Sequence, residues 1–312
     1  MLVFQALFPF LLFASNAESN PIELVILGGT HTSLSPSFDY IDQVLLPILE
    51  NRFGILVGRT LTRRGWSVGP TNRGRVAFTI QPVKSGEGLR LKDPQNQYLD
   101  SKNYVVAQID ATIIVPSTLH KEYEDALHRD LQVLFPGVQV NTRKLEESGH
   151  ESRAYILLVA ISGSGLRWGC DILYAIPKKR KGGNSKKTIS PIEDASRKVS
   201  KGLFEEVSNK SQCDSHAQDQ LVVFQAVAQG PTAFPRWQQP VGGLQELMRG
   251  FNLEDPSQMR KENTGEPFGE GSLHAKTARW VVAELLPSVL FYNKGLAVEG
   301  AGISFGGSLS SN

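Results

Sequence analysis

Tyr40-Ile41-Asp42-Gln43-Val44-Leu45-Leu46-Pro47-Ile48-Leu49, followed after a short turn by Ile55-Leu56-Val57, is the stretch from which the fold is read. Apolar residues recur at helical spacing as far as Leu49, and the apolar run after the turn reads as a strand. The same design occurs twice more. Gln5-Ala6-Leu7-Phe8-Pro9-Phe10-Leu11-Leu12 precedes the strand-like Ile22-Glu23-Leu24-Val25-Ile26-Leu27, and Val282-Ala283-Glu284-Leu285-Leu286-Pro287-Ser288-Val289-Leu290 precedes Leu296-Ala297-Val298. Each copy is an apolar helix with a proline in it, then a turn, then a strand, and each proline is expected to kink its helix. Divergent copies of one supersecondary unit predict an α/β (α+β) fold whose large domain is built from repeated helix–strand units. Their spacing is too irregular for a solenoid. No helix-start signal precedes the first copy, so the chain reads as beginning inside such a unit.

The middle of the chain follows a different pattern. Val105–Val115 reads as a strand and Ser117–Phe135 as an amphipathic helix with Leu119, Tyr123, Leu127 and Leu134 inward. Ala154–Ile161 and Trp168–Ile176 read as two strands joined at Gly163-Ser164-Gly165, a hairpin signal. We therefore expect a large domain at 1–100 and 177–312, a small inserted α+β domain at 101–176, and an irregular, proline-bearing insertion at 231–268. Ser190-Pro191-Ile192-Glu193 supplies an N-cap serine, proline at the first helical position and glutamate at the third, which opens a helix to about Val207. A further helix is expected after Asp214, through Gln218–Ala226.

Composition is that of an ordinary globular protein, with 40% apolar and 21% charged residues among 312. A net charge of +2 does not announce nucleic acid, but the basic residues bunch in Arg59–Arg75 and Lys178–Lys187. Cys170 and Cys213 make no disulfide framework, and the scattered histidines show no metal-ligand spacing, so no metal ligands are assigned. Leu2–Ala14 has the apolarity of a signal-peptide core, yet no Lys or Arg precedes it and Gln5 and Pro9 interrupt it. It is too short to span a bilayer.

Candidate chemistry centres on Gly271-Ser272-Leu273-His274-Ala275-Lys276-Thr277. A glycine-bearing loop runs into Ser272 and a helix follows, which sets His274 in or beside the first helical turn. Free N–H groups and a positive dipole there hold phosphate and suit a neutral, nucleophilic imidazole. A histidine that merely caps or packs at a helix start has the same signature. Gly28-Gly29-Thr30 lets backbone approach a ligand, or is a plain turn. Arg63-Arg64-Gly65-Trp66 through Arg73-Gly74 can track a phosphate backbone and stack a base, or can be a solvated hairpin. Lys178–Lys187 reads as a solvated basic loop, a nuclear address or an RNA contact. Asp219 and Gln220 abut an apolar helical run and are either surface groups or partners of a nucleotide.

Gly28-Gly29-Thr30, Pro36 and Asp39-Tyr40, then Asp219-Gln220-Leu221, then Leu273-His274 and Thr277, taken together and in this order, resemble the RNA 3'-terminal phosphate cyclase family. The resemblance runs over nearly the whole chain, starting inside the first repeat unit; the family's front unit, with its Glu-Gly-Gly-Gly-Gln loop, has no counterpart. It implies ATP-dependent conversion of an RNA 3'-phosphate to a 2',3'-cyclic phosphate through a covalent histidine–AMP intermediate, with a divalent cation (Mg²⁺ or Mn²⁺). His274 would be the nucleophile, and Gln5, Pro36, Asp219 and Gln220 would line the adenylate pocket. His216 stands where the family has a tyrosine of that pocket, and Gly69-Pro70-Thr71-Asn72-Arg73-Gly74 replaces the family's glycine-rich loop. The resemblance makes Met1–Ser15 an internal helix, which disfavours secretion and membrane attachment and points to the nucleus, with the cytoplasm as alternative. RNA 3' ends are the implied partner. A competing expectation is a non-catalytic cyclase-like protein that binds RNA or ribosome-assembly factors.

Overall fold

The structure, a computed structural model, describes residues 1–14, 20–92, 101–177, 190–235 and 259–304. The expected basic loop at Lys178–Lys187 and most of the expected insertion at 231–268 lie outside the described residues.

Two copies of one αβαββ unit dominate the fold. The first comprises α1 (Leu2–Phe13), β1 (Ile22–Gly28), a helix running through α2 (Phe38–Tyr40) and α3 (Leu46–Phe53), β2 (Val57–Arg63) and β3 (Gly74–Ile80). Its three strands are antiparallel in the order β1-β3-β2. After the inserted region the pattern recurs with α6 (Ser215–Val227), β8 (Gln229–Ala233), α7 (Leu273–Leu285), β9 (Leu290–Tyr292) and β10 (Ala297–Ala301). Here too the last strand is central, in the order β8-β10-β9. The three proline-bearing helices read as copies from sequence do not map one to a unit: two lie in the first unit and one in the second, where β9 comes between that helix and the expected strand at Leu296–Val298.

The prolines are accommodated in three ways. Pro9 lies inside α1. Pro47 follows a π-helical turn at Ile41–Leu45, a widened turn that absorbs the lost N–H and the ring's bulk next to it. Pro287 stops its helix. The third helix was expected to reach Leu290, but α7 ends at Leu285, because a proline disfavours helical backbone at the residue before it. Leu290–Tyr292 is instead a short strand, and Gln229–Ala233, partly inside the expected irregular insertion, is another.

Between the two units lies a four-stranded sheet, β5-β4-β6-β7, made of β4 (Val106–Val115), β5 (Gln139–Glu147), β6 (Arg153–Ser162) and β7 (Arg167–Ala175). Strand β5 was not foreseen from sequence: it is a half-exposed edge strand with little apolar content, paired parallel to β4. The helices α4 (His120–Leu134) and α5 (Pro191–Ser208) cover one face. Tyr123, Leu127 and Leu131 of α4 and Ile192, Val199 and Leu203 of α5 share one core with Ile113, Leu158 and Trp168, so this packing unit runs on past residue 176. From the opposite face Ile114, Tyr155, Leu157 and Val159 enter the main core, which α1, α2, α3 and α6 fill with Phe4, Phe8, Leu45, Leu49 and Leu221. Among the described residues no helix is long and apolar enough to cross a membrane.

Candidate active site

The site forms where α1, α6 and α7 meet. Ser272 caps α7, its Oγ accepting the Ala275 N–H at 3.2 Å, and His274, the second residue of the helix, is exposed. The loop before the cap is fixed from beneath. Arg279 is 1% exposed and donates through Nη1 to the Glu270 carbonyl at 2.6 Å. Gly271 has φ +104°, and a Cβ on it would lie 2.2 Å from Gln218 Oε1. Only glycine satisfies both the backbone angle and that approach.

Helix α6 starts from a buried cap. Asp214 accepts the N–H groups of His216 and Ala217 at 3.0 and 2.8 Å, the Tyr40 hydroxyl at 2.6 Å and the Gly169 N–H at 2.8 Å. One side chain therefore ties together the first repeat, the inserted sheet and the second repeat, and fixes where Asp219 and Gln220 emerge one turn later.

Gln5, Asp219, Gln220 and His274 line one cavity of about 370 Å³, walled by Phe8 and Val223 among others. The Asp219 Oδ1 atom is buried without a hydrogen-bond partner in the structure. Burial pushes the carboxyl pKa of Asp219 up, opposed first by the backbone N–H of Gln220 and then by the nearby His274 and His216. An orphaned buried acceptor beside an exposed imidazole is an arrangement that an incoming polar ligand would satisfy. The cavity opens into an apolar groove of about 970 Å³ that shares Gln5 and His274 and is walled by Pro9, Phe10, Val281 and Leu285.

Four of the residues singled out from sequence are therefore brought together. The other two are not among the cavity's lining residues. Pro36 sits in the loop after β1, its carbonyl accepting from Ser35 Oγ at 3.2 Å. His216 is exposed, with its ring edge-on to Tyr40 at 6.1 Å. Among the described residues no group of three or more His, Cys, Asp or Glu could hold a metal ion.

A second polar cluster escaped the sequence reading. His31 Nε2 lies 2.9 Å from Asp39 Oδ2; Arg64 Nη1 is 2.5 Å from the same oxygen, and Lys144 Nζ 2.8 Å from Asp39 Oδ1. Tyr155 Oη and Ser37 Oγ are 2.5 Å apart beside it. Two of these groups, Lys144 and Tyr155, come from the inserted sheet, so the cluster fastens that sheet to the first repeat. Asp39 and Arg64 stood in the family pattern and in the basic loop, but nothing in the sequence joined them to each other, to His31 or to the inserted sheet. Trp66, whose loop could equally stack a base or be a solvated hairpin, is 3% exposed, stacked on His31 with centroids 4.8 Å apart and covered by the Arg153 guanidinium at 5.5 Å, so it offers no free face.

A sequence profile described as RNA 3'-terminal phosphate cyclase matches residues 1–290. The chain is similar to the RNA 3'-terminal phosphate cyclase of Drosophila melanogaster, 25% identical over 234 residues that cover 73% of this chain and 58% of that protein. It is 29% identical to the Pyrococcus furiosus protein of that name over 229 residues, covering 73% of this chain and 59% of the relative. A Koribacter versatilis protein of the same name is 35% identical over 92 residues, 30% of this chain and 24% of the relative. The chain thus matches less than two thirds of the length of these relatives. With the profile spanning nearly the whole chain, and with the motif residues Gln5, Asp219, Gln220 and His274 around one cavity, the chain belongs to the RNA 3'-terminal phosphate cyclase family.

Proposed function

We propose that this chain carries the nucleotidyl-transfer site of an ATP-dependent RNA 3'-phosphate cyclase. The observation that supports the reading is the shared cavity of His274, Asp219, Gln220 and Gln5. In this reading the His274 imidazole attacks the α-phosphorus of ATP, forming a P–N bond as the bond to pyrophosphate breaks. The RNA 3'-phosphate then displaces the imidazole from AMP. Finally the adjacent 2'-OH attacks the activated phosphate, releasing AMP and closing the 2',3'-cyclic phosphate. The α7 N-terminus, with its free N–H groups, sits beside the phosphate and favours its charge.

The cavity's polar rim and apolar floor suit a nucleoside monophosphate in size and chemistry. Asp219 Oδ1, which lacks a partner, and the Gln5 and Gln220 carboxamides would hold its hydroxyls and base edge. A divalent cation does not fit in the same way. With no three-ligand group among the described residues, these side chains alone would not cage a metal ion. A cation would enter with the nucleotide, as Mg²⁺ commonly does when phosphates supply its ligands. Action on RNA 3' ends, and residence in the nucleus, belong to this same proposal.

Incubation with α-labelled ATP and a divalent cation tests it. The protein should acquire an acid-labile label that His274→Ala abolishes. A wild-type chain that takes no label, or a His274→Ala variant that labels equally, would overturn the reading.

A further inference from the structure

Away from the cavity, a polar cleft of about 650 Å³ runs between β2, an edge of the first sheet, and β5, an edge of the inserted sheet. Its carboxylates are engaged. Asp42 receives Arg59 at 2.7 Å, Glu146 receives Arg64 at 2.8 Å, and Glu147 accepts the N–H groups of Ser117 and Gly149 at 2.6 and 2.9 Å. Arg63 and Arg153, which line the cleft, and Arg73 and Arg75, which flank Arg63 on the β2–β3 pair outside its lining, are in a different state. Arg63, Arg73 and Arg75 are exposed and Arg153 is 7% exposed, and none has a carboxylate partner among the described residues.

The fold forces these charges together. Arg63 and Arg75 are register partners across the β2–β3 pair, an arrangement that like charges disfavour. The hairpin is pinched where a Cβ on Gly65 would lie 2.4 Å from Gly74 N, so Arg63 and Arg73 approach the same neck. Arg153 plugs the loop beyond from the inserted sheet. Its guanidinium donates to the carbonyls of Val68 and Ser148, each at 3.3 Å, and to that of Pro70, and its face lies 5.5 Å from the Trp66 centroid. All these acceptors are neutral carbonyls, so its charge stands uncompensated.

We propose that this arginine cluster binds the phosphodiester backbone of single-stranded RNA, upstream of the 3' end that the His274 site would process. The inference rests on the reading of that site as RNA-directed. Asp42 and Leu45, three residues apart along the helix at residues 38–53, line the cleft and the cavity respectively, so one helix separates the two. Guanidinium groups match phosphate oxygens in geometry and charge. Because Trp66 is buried, the cluster offers charge without a stacking surface, so the binding is to backbone and indifferent to base. An extended acidic peptide is the other polyanion of suitable shape, but its carboxylates sit on flexible side chains, whereas RNA repeats its charge along the backbone itself.

The test is equilibrium binding of a labelled 3'-phosphorylated RNA oligonucleotide, without ATP, across a range of salt concentrations. Wild-type protein should bind oligouridylate and oligoadenylate about equally. The exposed pair Arg63→Gln and Arg75→Gln should weaken both equally and reduce the log–log salt slope by about 1.4, at roughly 0.7 per lost phosphate contact on a single strand. Lysine at both positions should restore most of the slope. An unchanged slope in the double glutamine variant, no RNA binding by wild type, or cluster-dependent binding of polyglutamate in preference to RNA would overturn the proposal. Labelling by ATP in the absence of RNA separates the two readings: the double variant should still take the His274-dependent label. Wild-type protein that binds RNA through the cluster but takes no label would remove the catalytic reading alone.

Discussion

His31 Nε2 lies 2.9 Å from Asp39 Oδ2, and neither side chain has any solvent exposure. Burial lowers the imidazole pKa and outweighs the pull of Asp39, so His31 is neutral, donating from Nε2 to the carboxylate. Nδ1 then accepts from the Thr30 hydroxyl at 2.9 Å. For Asp39, burial alone would push the pKa up, but the hydrogen bond with His31 and the Arg64 guanidinium hold it well below the usual carboxylate range. The inserted sheet is thus fastened through an ionised carboxylate shared by an arginine, a lysine and a neutral histidine.

The signs of these shifts predict the acid side of the stability curve. A histidine whose pKa falls on folding takes up its proton later than in the unfolded chain, so stability drops as pH falls below about 6.5. The depressed Asp39 contributes stability that is present above about pH 3.9 and is lost as pH falls further. Urea unfolding between pH 7.5 and 5 should show a decline that His31→Gln largely removes. Asp39→Asn removes the carboxylate that Arg64 and Lys144 share and leaves them to Glu146 and Asp42, so at neutral pH it should cost less than the roughly 3–5 kcal/mol of a fully orphaned buried charge. Identical pH slopes in wild type and His31→Gln would refute the assignment.

How much of this was legible in the sequence depends on the range of the interaction. The helix period around Pro9 and Pro47, the Ser190–Glu193 start and the Gly163–Gly165 hairpin are local, and each marked a real element. Strand β5 was hidden because an edge strand needs no alternating apolar pattern: Gln139–Glu147 is polar at nearly every position. The stop at Leu285 was missed because periodicity was followed through Pro287 when the proline should have overruled it. The His31–Asp39 cluster could not be assembled from sequence although Asp39 and Arg64 were named, since its partners Lys144 and Tyr155 lie more than a hundred positions away on strands of the insert. The meeting of Gln5, Asp219, Gln220 and His274 was legible only through the family pattern, because no spacing within this chain relates a residue of α1 to one of α7.

Helix α1 is a structural member of the main core. Phe8 is 1% exposed, stacks on Phe4 with centroids 4.8 Å apart and meets Phe224 of α6 at 5.5 Å. Phe8→Ala removes a ring from the contact between α1 and α6 and should cost about 3–5 kcal/mol. Phe10→Ser, on the same helix but 77% exposed, should change stability by less than about 1 kcal/mol. Thermal unfolding of the two variants checks this, and equal losses would show that α1 is not packed as described.

Gly271 separates loop geometry from chemistry. At φ +104°, and with Gln218 Oε1 2.2 Å from the position of a Cβ, Gly271→Ala must move either the loop or the buried carboxamide. A cost of about 1–3 kcal/mol is expected from the backbone strain alone. The displaced loop carries the Ser272 cap, so His274-dependent labelling by ATP should fall further than stability does. Gln218→Ala in the Gly271→Ala background should relieve the clash and recover part of the label. A double variant that is worse than additive would mean that Gln218 holds the loop by some contact other than this one.

Asp219 is the residue at which stability and function should part. Its carboxyl pKa is raised by burial, which means that the charged form costs stability once pH rises through its unfolded and then its folded value. That cost is present at neutral pH without a ligand, because Oδ1 is buried with no hydrogen-bond partner. Asp219→Asn keeps the shape and removes the charge, so the empty protein should unfold at an equal or higher temperature than wild type. Nucleotide should feel the opposite effect: exchanging an ionised acceptor for a neutral amide should weaken AMP binding by about tenfold, on the order of 1.4 kcal/mol. Calorimetric titration with AMP and thermal unfolding of the empty protein measure the two effects independently. A variant that is destabilised and yet binds AMP as wild type does would place Asp219 in the support of α6 and outside the nucleotide pocket.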